Sequence, residues 1–433
     1  MRTILGNAFI YTGDADHRCI ADGAIAITDG RIEWIGPESE LPPFSDAVIR
    51  DLGGAVVIPG LVNTHAHGGL SLHRGTVDDG DLFEWMVRLA PHTANLTIED
   101  NRWACYLAVF EMIRNGITTA CDCTRYGAGL FSEVAREVGL RSLSGALANS
   151  PTLRANGRPN WPLALEETDA AIAAHGNDPL CRFYLGAHSP YNCTPDLLVE
   201  IKRAAEARGL PFNIHVAEHP RETDIVRERH GKRPVEHLHS LGLLDRKTIL
   251  AHCIWLDPDE IDMIAETGAG VAHNPISNGK LASGLAPVPA LRRRGVPVGL
   301  GTDSTLSNNA LSIFQEMKVA VLMQRIVRRD GFALSACDAL AMATREGARV
   351  LSWEDEIGSL AQHKAADLVV LDLYHPLGLT PERVISDLVY AAGPQHIRFV
   401  MVGGTIVFEG GRLTRVDEVE IKARIRRRYA KGI

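Results

Sequence analysis

Seven polar side chains stand just past short apolar runs in this chain: His65 and His67, His188, His215, His252, His273 and Asp303. Neutral imidazole and carboxylate are ligands for zinc and for other borderline divalent metals. His65 and His67 are separated by one residue, and alternate side chains of an extended segment face the same way, so both rings can approach one ion. A lone His-x-His would not establish a metal centre, but His215 and Asp303 at corresponding positions complete a four-ligand set. His252 is either a further ligand or the group that hydrogen-bonds a metal-bound water, and the second role is favoured.

Glu218 follows His215 by three residues, in His215-Val-Ala-Glu218, where a carboxylate can shuttle protons beside the metal. A bound divalent ion lowers the pKa of water from about 15.7 towards roughly 7, which supplies hydroxide at neutral pH. Departure of an amine still requires a proton donor. Glu218 and Asp303 can divide that work. Binuclear relatives of such sites commonly use a modified Lys or a Glu on the fourth strand as a bridge, and Arg182-Phe-Tyr-Leu-Gly-Ala-His188 offers neither, so one ion is expected.

The elements that must position these groups are legible as alternating short apolar strands and helical stretches, the pattern of parallel βαβ units. Eight strands are expected, at 58–63, 118–122, 141–146, 182–187, 212–216, 248–251, 270–272 and 298–302, with helices such as 196–208 and 259–267 between them. Eight parallel strands predict a (β/α)8 TIM barrel, whose strand C-termini converge on one mouth where catalytic groups of this fold are found. Residues before 58 alternate like strands, at Ala8-Phe-Ile-Tyr, Ala24-Ile-Ala-Ile-Thr, Arg31-Ile-Glu-Trp-Ile and Ala55-Val-Val-Ile, and a similar texture returns near the C-terminus. The two ends are therefore expected to pair as a small β-sandwich, from 1–58 and 361–433 with a terminal helix, around a barrel at 59–360.

Composition narrows the partners. With 45% hydrophobic and 23% charged residues the chain reads as an ordinary globular protein. A formal charge of −8 creates no field for a polyanion, so a small-molecule substrate is expected rather than nucleic acid. The basic run from Lys422 to Lys431 is read as the solvated face of a terminal helix. No stretch approaches the roughly 18 apolar residues of a membrane span, and Asp14 and Asp16 interrupt any signal-peptide pattern, so no membrane partner and a cytoplasmic location are expected. The eight cysteines are sparse, and the spacing of Cys121 and Cys123 is unlike a Cys-x-x-Cys motif; they are read as reduced thiols.

The chain resembles the amidohydrolase superfamily, in its branch of cytosine-deaminase-like, S-adenosylhomocysteine-deaminase-like and triazine-hydrolase-like enzymes. The segments that carry the resemblance are Pro59-Gly-Leu-Val-Asn-Thr-His-Ala-His67, Leu72-His-Arg-Gly75, Gly186-Ala-His-Ser-Pro-Tyr191, His215-Val-Ala-Glu218, Ala251-His252-Cys253, His273-Asn-Pro-Ile-Ser-Asn278, and Gly301-Thr-Asp-Ser304 with Ser307-Asn-Asn309. The resemblance implies His65, His67, His215 and Asp303 as metal ligands, Glu218 as proton shuttle and His252 as the group orienting the hydrolytic water. It further implies substrate contacts from His188 and from Glu84, and Trp85 and Asn308 are further candidate substrate contacts. The implied cofactor is one divalent ion, zinc foremost, with iron(II) and manganese(II) as alternatives. A homodimer or higher homo-oligomer is allowed by fold-level analogy alone.

One departure concerns the substrate. Nucleoside deaminases of this branch carry an Arg after the third strand, where this chain reads Ser144-Gly-Ala-Leu-Ala-Asn149. Arg154 and Arg158 are candidates to compensate, and Arg125 is a candidate contact for a substrate carboxylate or carbonyl. Glu218 favours hydrolytic deamination of an aminated heterocycle such as a purine, pterin, pyrimidine or triazine, with metal-bound hydroxide attacking the amino-bearing carbon. The alternative is hydrolysis of a linear guanidine, an amide, or a C–Cl or C–S bond on the same site.

Overall fold

The structure, a computed structural model, describes residues 2–124, 127–150 and 161–430. Its centre is a path of eight parallel strands in sequence order: Leu61–Ala66, Ile117–Thr124, Arg141–Ala148, Leu185–Ala187, Phe212–Val216, Thr248–His252, Gly270–His273 and Val298–Leu300. These strands are buried almost throughout because helices cover the outer face while side chains fill the inside, so neither face meets water. Arg141–Ala148, for example, is buried at every position. The ring closes where Ala66 bridges Asp303 in parallel. The expected TIM barrel is therefore present.

The helices return each strand to the next and carry their own start signals. Helix Pro195–Ala207 begins with Thr194 capping Leu197 and proline at its first turn, and Pro258–Thr267 begins with a capping box between Asp257 and Glu260. Each device satisfies amides that the helix itself leaves unpaired.

The two chain ends meet in a nine-stranded sheet. Val56–Pro59 pairs antiparallel with Leu368–Leu371, joining the N-terminal strands to Ile397–Val402, Thr405–Glu409 and Arg412–Leu413. A bidentate ion pair ties this sheet to the barrel: Arg141, on the third barrel strand, donates to both oxygens of Asp367 at 2.9 and 3.0 Å. Among the described residues, no helix is long and apolar enough to cross a membrane.

Three local expectations need correction. The first barrel strand starts at Leu61, because 56–59 belongs to the other sheet. Gly60 makes that crossing, where a Cβ would lie 2.0 Å from Thr118 Oγ1, so no other residue fits without displacing the second strand. The expected strand at 182–187 is broken into Cys181–Phe183 and Leu185–Ala187. Between them, the buried Tyr184 hydroxyl lies 2.9 and 3.0 Å from the carbonyls of Asp122 and Gly145, with its single proton shared between the two acceptors. An additional strand, Ala47–Asp51, pairs with the first strand of the sheet, Arg2–Tyr11; it lies partly in solvent and lacks the apolar signal of a core strand.

Candidate active site

Barrel closure brings the four expected ligands together. His65 is fully buried near the end of the first strand, and the amide of Asp303 donates to its carbonyl at 2.9 Å. Asp303 Oδ1 lies 3.7 Å from His65 Nε2 and 3.4 Å from His67 Nε2. His67 and His215 face each other with Nε2 atoms 3.3 Å apart.

The outer nitrogens decide what those inner nitrogens are. His67 Nδ1 donates to the carbonyl of Cys123 at 2.6 Å, and His215 Nδ1 donates to the carbonyl of His188 at 2.8 Å. A neutral imidazole with its proton on Nδ1 presents a lone pair at Nε2. Two lone pairs at that separation repel unless an electrophile lies between them. His65 Nε2 adds a third, being buried without a hydrogen-bond partner. Burial, reinforced by the neighbouring rings, holds the His65 and His215 pKa values well below the ordinary range, so both rings are neutral. The donor set of three imidazoles and a carboxylate fits a divalent cation such as zinc.

Asp303 is prepared for that role. Its Oδ2 accepts from the hydroxyls of Ser277 and Ser307, which leaves Oδ1 turned to the histidines. Burial raises its pKa, but the rings of His67 and His252 and the Ser277 hydrogen bond outweigh this, so the net shift is downward and the group stays ionised. Partners of this kind orient and tune a ligand.

Glu218 and His252 form the second part of the site. His252 Nε2 lies 3.7 Å from Glu218 Oε2, and its Nδ1 meets Asn278 Oδ1 at 2.9 Å. Glu218 is buried, and this desolvation pushes its carboxyl up to about 7. A carboxyl with that pKa carries and releases a proton near neutrality.

His67, Trp85, His188, His215, Glu218, His252 and Asp303 line one cavity, walled on its apolar side by Leu70, Leu82, Met86, Leu147, Tyr191 and Leu281. Trp85 Nε1 is buried without a hydrogen-bond partner. Other expected residues lie elsewhere. Glu84 is exposed and outside the cavity wall. The Asn308 amide donates to the carbonyl of Thr302 and to Glu316, bracing the loop that follows the last strand. His273 is buried and does not line the cavity, and Arg125, Arg154 and Arg158 fall outside the described residues.

Sequence reasoning assigned no role to Ser277, Ser307 or Asn278, although each lies inside a quoted motif; a polar side chain within a buried motif was the available signal. The carbonyl acceptors of Cys123 and His188 leave no trace in residue type.

Residues 56–407 match the model of the amidohydrolase family. The chain belongs to the amidohydrolase family. It is 38% identical over 426 residues to 5-methylthioadenosine/S-adenosylhomocysteine deaminase of Syntrophobacter fumaroxidans, covering 98% of this chain and 96% of the relative. It is also 38% identical to 5'-deoxyadenosine deaminase of Methanopyrus kandleri, over 93% of this amidohydrolase and 94% of that protein. Among solved structures, an adenosine deaminase from Xanthomonas campestris with bound zinc superposes with a TM-score of 0.92 at 29% identity, covering 99% and 98% of the two chains.

Proposed function

We propose that this amidohydrolase is a metal-dependent hydrolytic deaminase that converts a 6-aminopurine nucleoside, altered at the 5' position, to the 6-oxo product and ammonia. The observation that carries this reading is the buried Glu218 carboxyl beside His252 and the four-ligand cluster, with a pKa of about 7. Expulsion of ammonia needs a proton delivered to the ring, and a carboxyl tuned to neutrality supplies one. The relatives named as deaminases of 5-methylthioadenosine, S-adenosylhomocysteine and 5'-deoxyadenosine support the substrate class.

His65, His67, His215 and Asp303 are the proposed ligands of one divalent ion, with zinc the first candidate. When bound, such an ion acidifies water and polarises the reacting carbon. The chain supplies the rest. Glu218 gives its proton to the ring nitrogen next to the amino-bearing carbon. Asp303 takes a proton from the attacking water and returns it to the departing amine, and Glu218 recovers the remaining hydroxyl proton as the 6-oxo product forms. His252, fixed by Asn278, orients that water. Trp85 and His188, in the cavity wall, are the proposed substrate contacts.

An ammonia-release screen tests this reading. Adenosine, 5'-deoxyadenosine, 5'-methylthioadenosine and S-adenosylhomocysteine are compared with guanine, pterins, cytosine, aminotriazines and linear guanidines. Turnover confined to adenine nucleosides is expected. Ammonia from another ring alone, or hydrolysis without ammonia, would overturn the proposed substrate class.

A further inference from the structure

We infer that Glu222 is a positioning residue for Glu218, holding the peptide that aims the proton-transferring side chain into the cavity; the inference rests on the proposed role of Glu218. Glu222 lies in the first turn of the helix Pro220–His230 and is 1% exposed. Its Oε2 accepts from the amide of Glu218 at 2.8 Å, and its carboxyl also meets the amide of Ala217.

The Glu218 amide belongs to the same peptide unit as the Ala217 carbonyl. That carbonyl accepts from the amides of Ile254 and Trp255, both at 2.9 Å. The peptide plane is thus held at both ends, by the segment following His252 on one side and by Glu222 on the other. It needs holding, because Ala217 has φ of +53°, a left-handed conformation that costs energy for any residue with a Cβ. His252 and Cys253 have φ of +75° and +48°, so both segments that meet at this peptide are strained. Strain of this kind persists where surrounding contacts over-determine it.

The chemistry at Glu222 argues against simple packing. A buried carboxyl is expensive unless its oxygens are satisfied. Here Oε1 has no hydrogen-bond partner among the described residues. An apolar side chain of similar length would bury more comfortably, yet would leave the Glu218 amide without an acceptor. Glu222 also differs from an ordinary helix cap: the cap of this helix is His219, which accepts from Arg221, while Glu222 reaches past it to the residue before. With the peptide free to turn, Glu218 would leave its place 3.7 Å from His252.

The test compares Glu222→Gln, which keeps an acceptor, with Glu222→Met, which keeps the length and loses it. Glu222→Leu is a second acceptor-free variant should the Met protein not fold, and Glu218→Gln is the control. Metal content, melting temperature and the kcat and KM for 5'-deoxyadenosine are measured on the full chain. The Gln variant should stay close to the parent. The acceptor-free variant should lose about 10- to 100-fold in kcat, the scale of an ångström-level misplacement, with metal content and KM little changed. Parental kcat in the acceptor-free variant, with Glu218→Gln inactive, overturns the role of Glu222 alone. Full activity in Glu218→Gln would instead overturn the reading of Glu218. A loss of kcat matched by lost metal or lost folded protein would show Glu222 to be structural.

Discussion

The amide of Asp303 donates to the carbonyl of His65, so the hydrogen bond that closes the barrel between its first and last strands also sets two proposed ligands side by side. Fold and site share this contact. A cation held here by His65, His67, His215 and Asp303 would cross-link three strands, and its binding would add to the stability of the native state.

The metal assignment makes a graded prediction. Asp303→Ala or His215→Ala should lower both metal content and turnover, since each removes a proposed ligand. Ser277→Ala leaves all four ligands in place but frees Asp303 Oδ2 from a hydroxyl. Loss of such a partner typically weakens metal affinity by about 10- to 100-fold. Metal titration of the chelator-treated proteins checks the series, with one equivalent expected per parental chain. Full metal content and activity in Asp303→Ala would remove the ligand set, and two tightly bound equivalents would contradict the single ion.

How much of this was legible in the sequence follows from what each feature depends on. His215 and Asp303 could be proposed as ligands because each stands at the C-terminal end of a barrel strand, and the barrel turns strand order into spatial convergence. The second sheet, built from both chain ends, was visible from alternation there. Ala47–Asp51 was not, since a half-solvated strand without alternation resembles a loop. At the division of 182–187 the Tyr184 hydroxyl meets two carbonyls on other strands, which no local pattern encodes. Glu84 is exposed at the start of its helix and the Asn308 amide is engaged within its own loop, positions that residue type alone does not give. Glu222 was within reach of sequence reasoning, four residues after Glu218 at a helix start, but its acceptor role appears only when the Ala217 turn is seen.

The helix that carries Glu222 should respond to acid. Its last residue, His230, stacks on His237 of the following helix, Pro234–Ser240, with ring centroids 4.1 Å apart and planes within 6°. Burial, with the nearby His230 and Lys232, lowers the His237 pKa from 6.5 to about 4. A histidine whose folded pKa is depressed contributes stability that is present above the unfolded value and is lost as pH falls through 6.5 towards 4. Denaturation midpoints should therefore decline across that window, and His237→Phe should flatten the decline. An unchanged slope in the variant would place the acid sensitivity elsewhere.

The joint between barrel and sheet should be fragile to single replacement. Arg141 and Asp367 are each 2% exposed at the side chain, and Asp367 Oδ1 also accepts from the amide of Gly403. Removing one partner strands a buried charge, at a cost of about 3–5 kcal/mol. Asp367→Leu should lower stability on that scale in urea titrations, and the double variant with Arg141→Met should recover much of it. Equal destabilisation in the single and double variants would show that packing, rather than the stranded charge, carries the cost.

Glu218 separates deamination from mere metal binding. Glu218→Gln keeps the side-chain shape and touches none of the proposed ligands, so metal content should remain near the parental level. The amide cannot deliver a proton to the ring nitrogen. General acid–base catalysis typically contributes about 10²–10⁴-fold, so ammonia release from 5'-deoxyadenosine should fall by at least about 100-fold while nucleoside binding persists. Parental turnover in a metal-loaded Glu218→Gln protein would route proton transfer through Asp303 and His252. The buried carboxyl at about 7 would then have no part in the chemistry, and the main physical reason for reading this amidohydrolase as a deaminase would be gone.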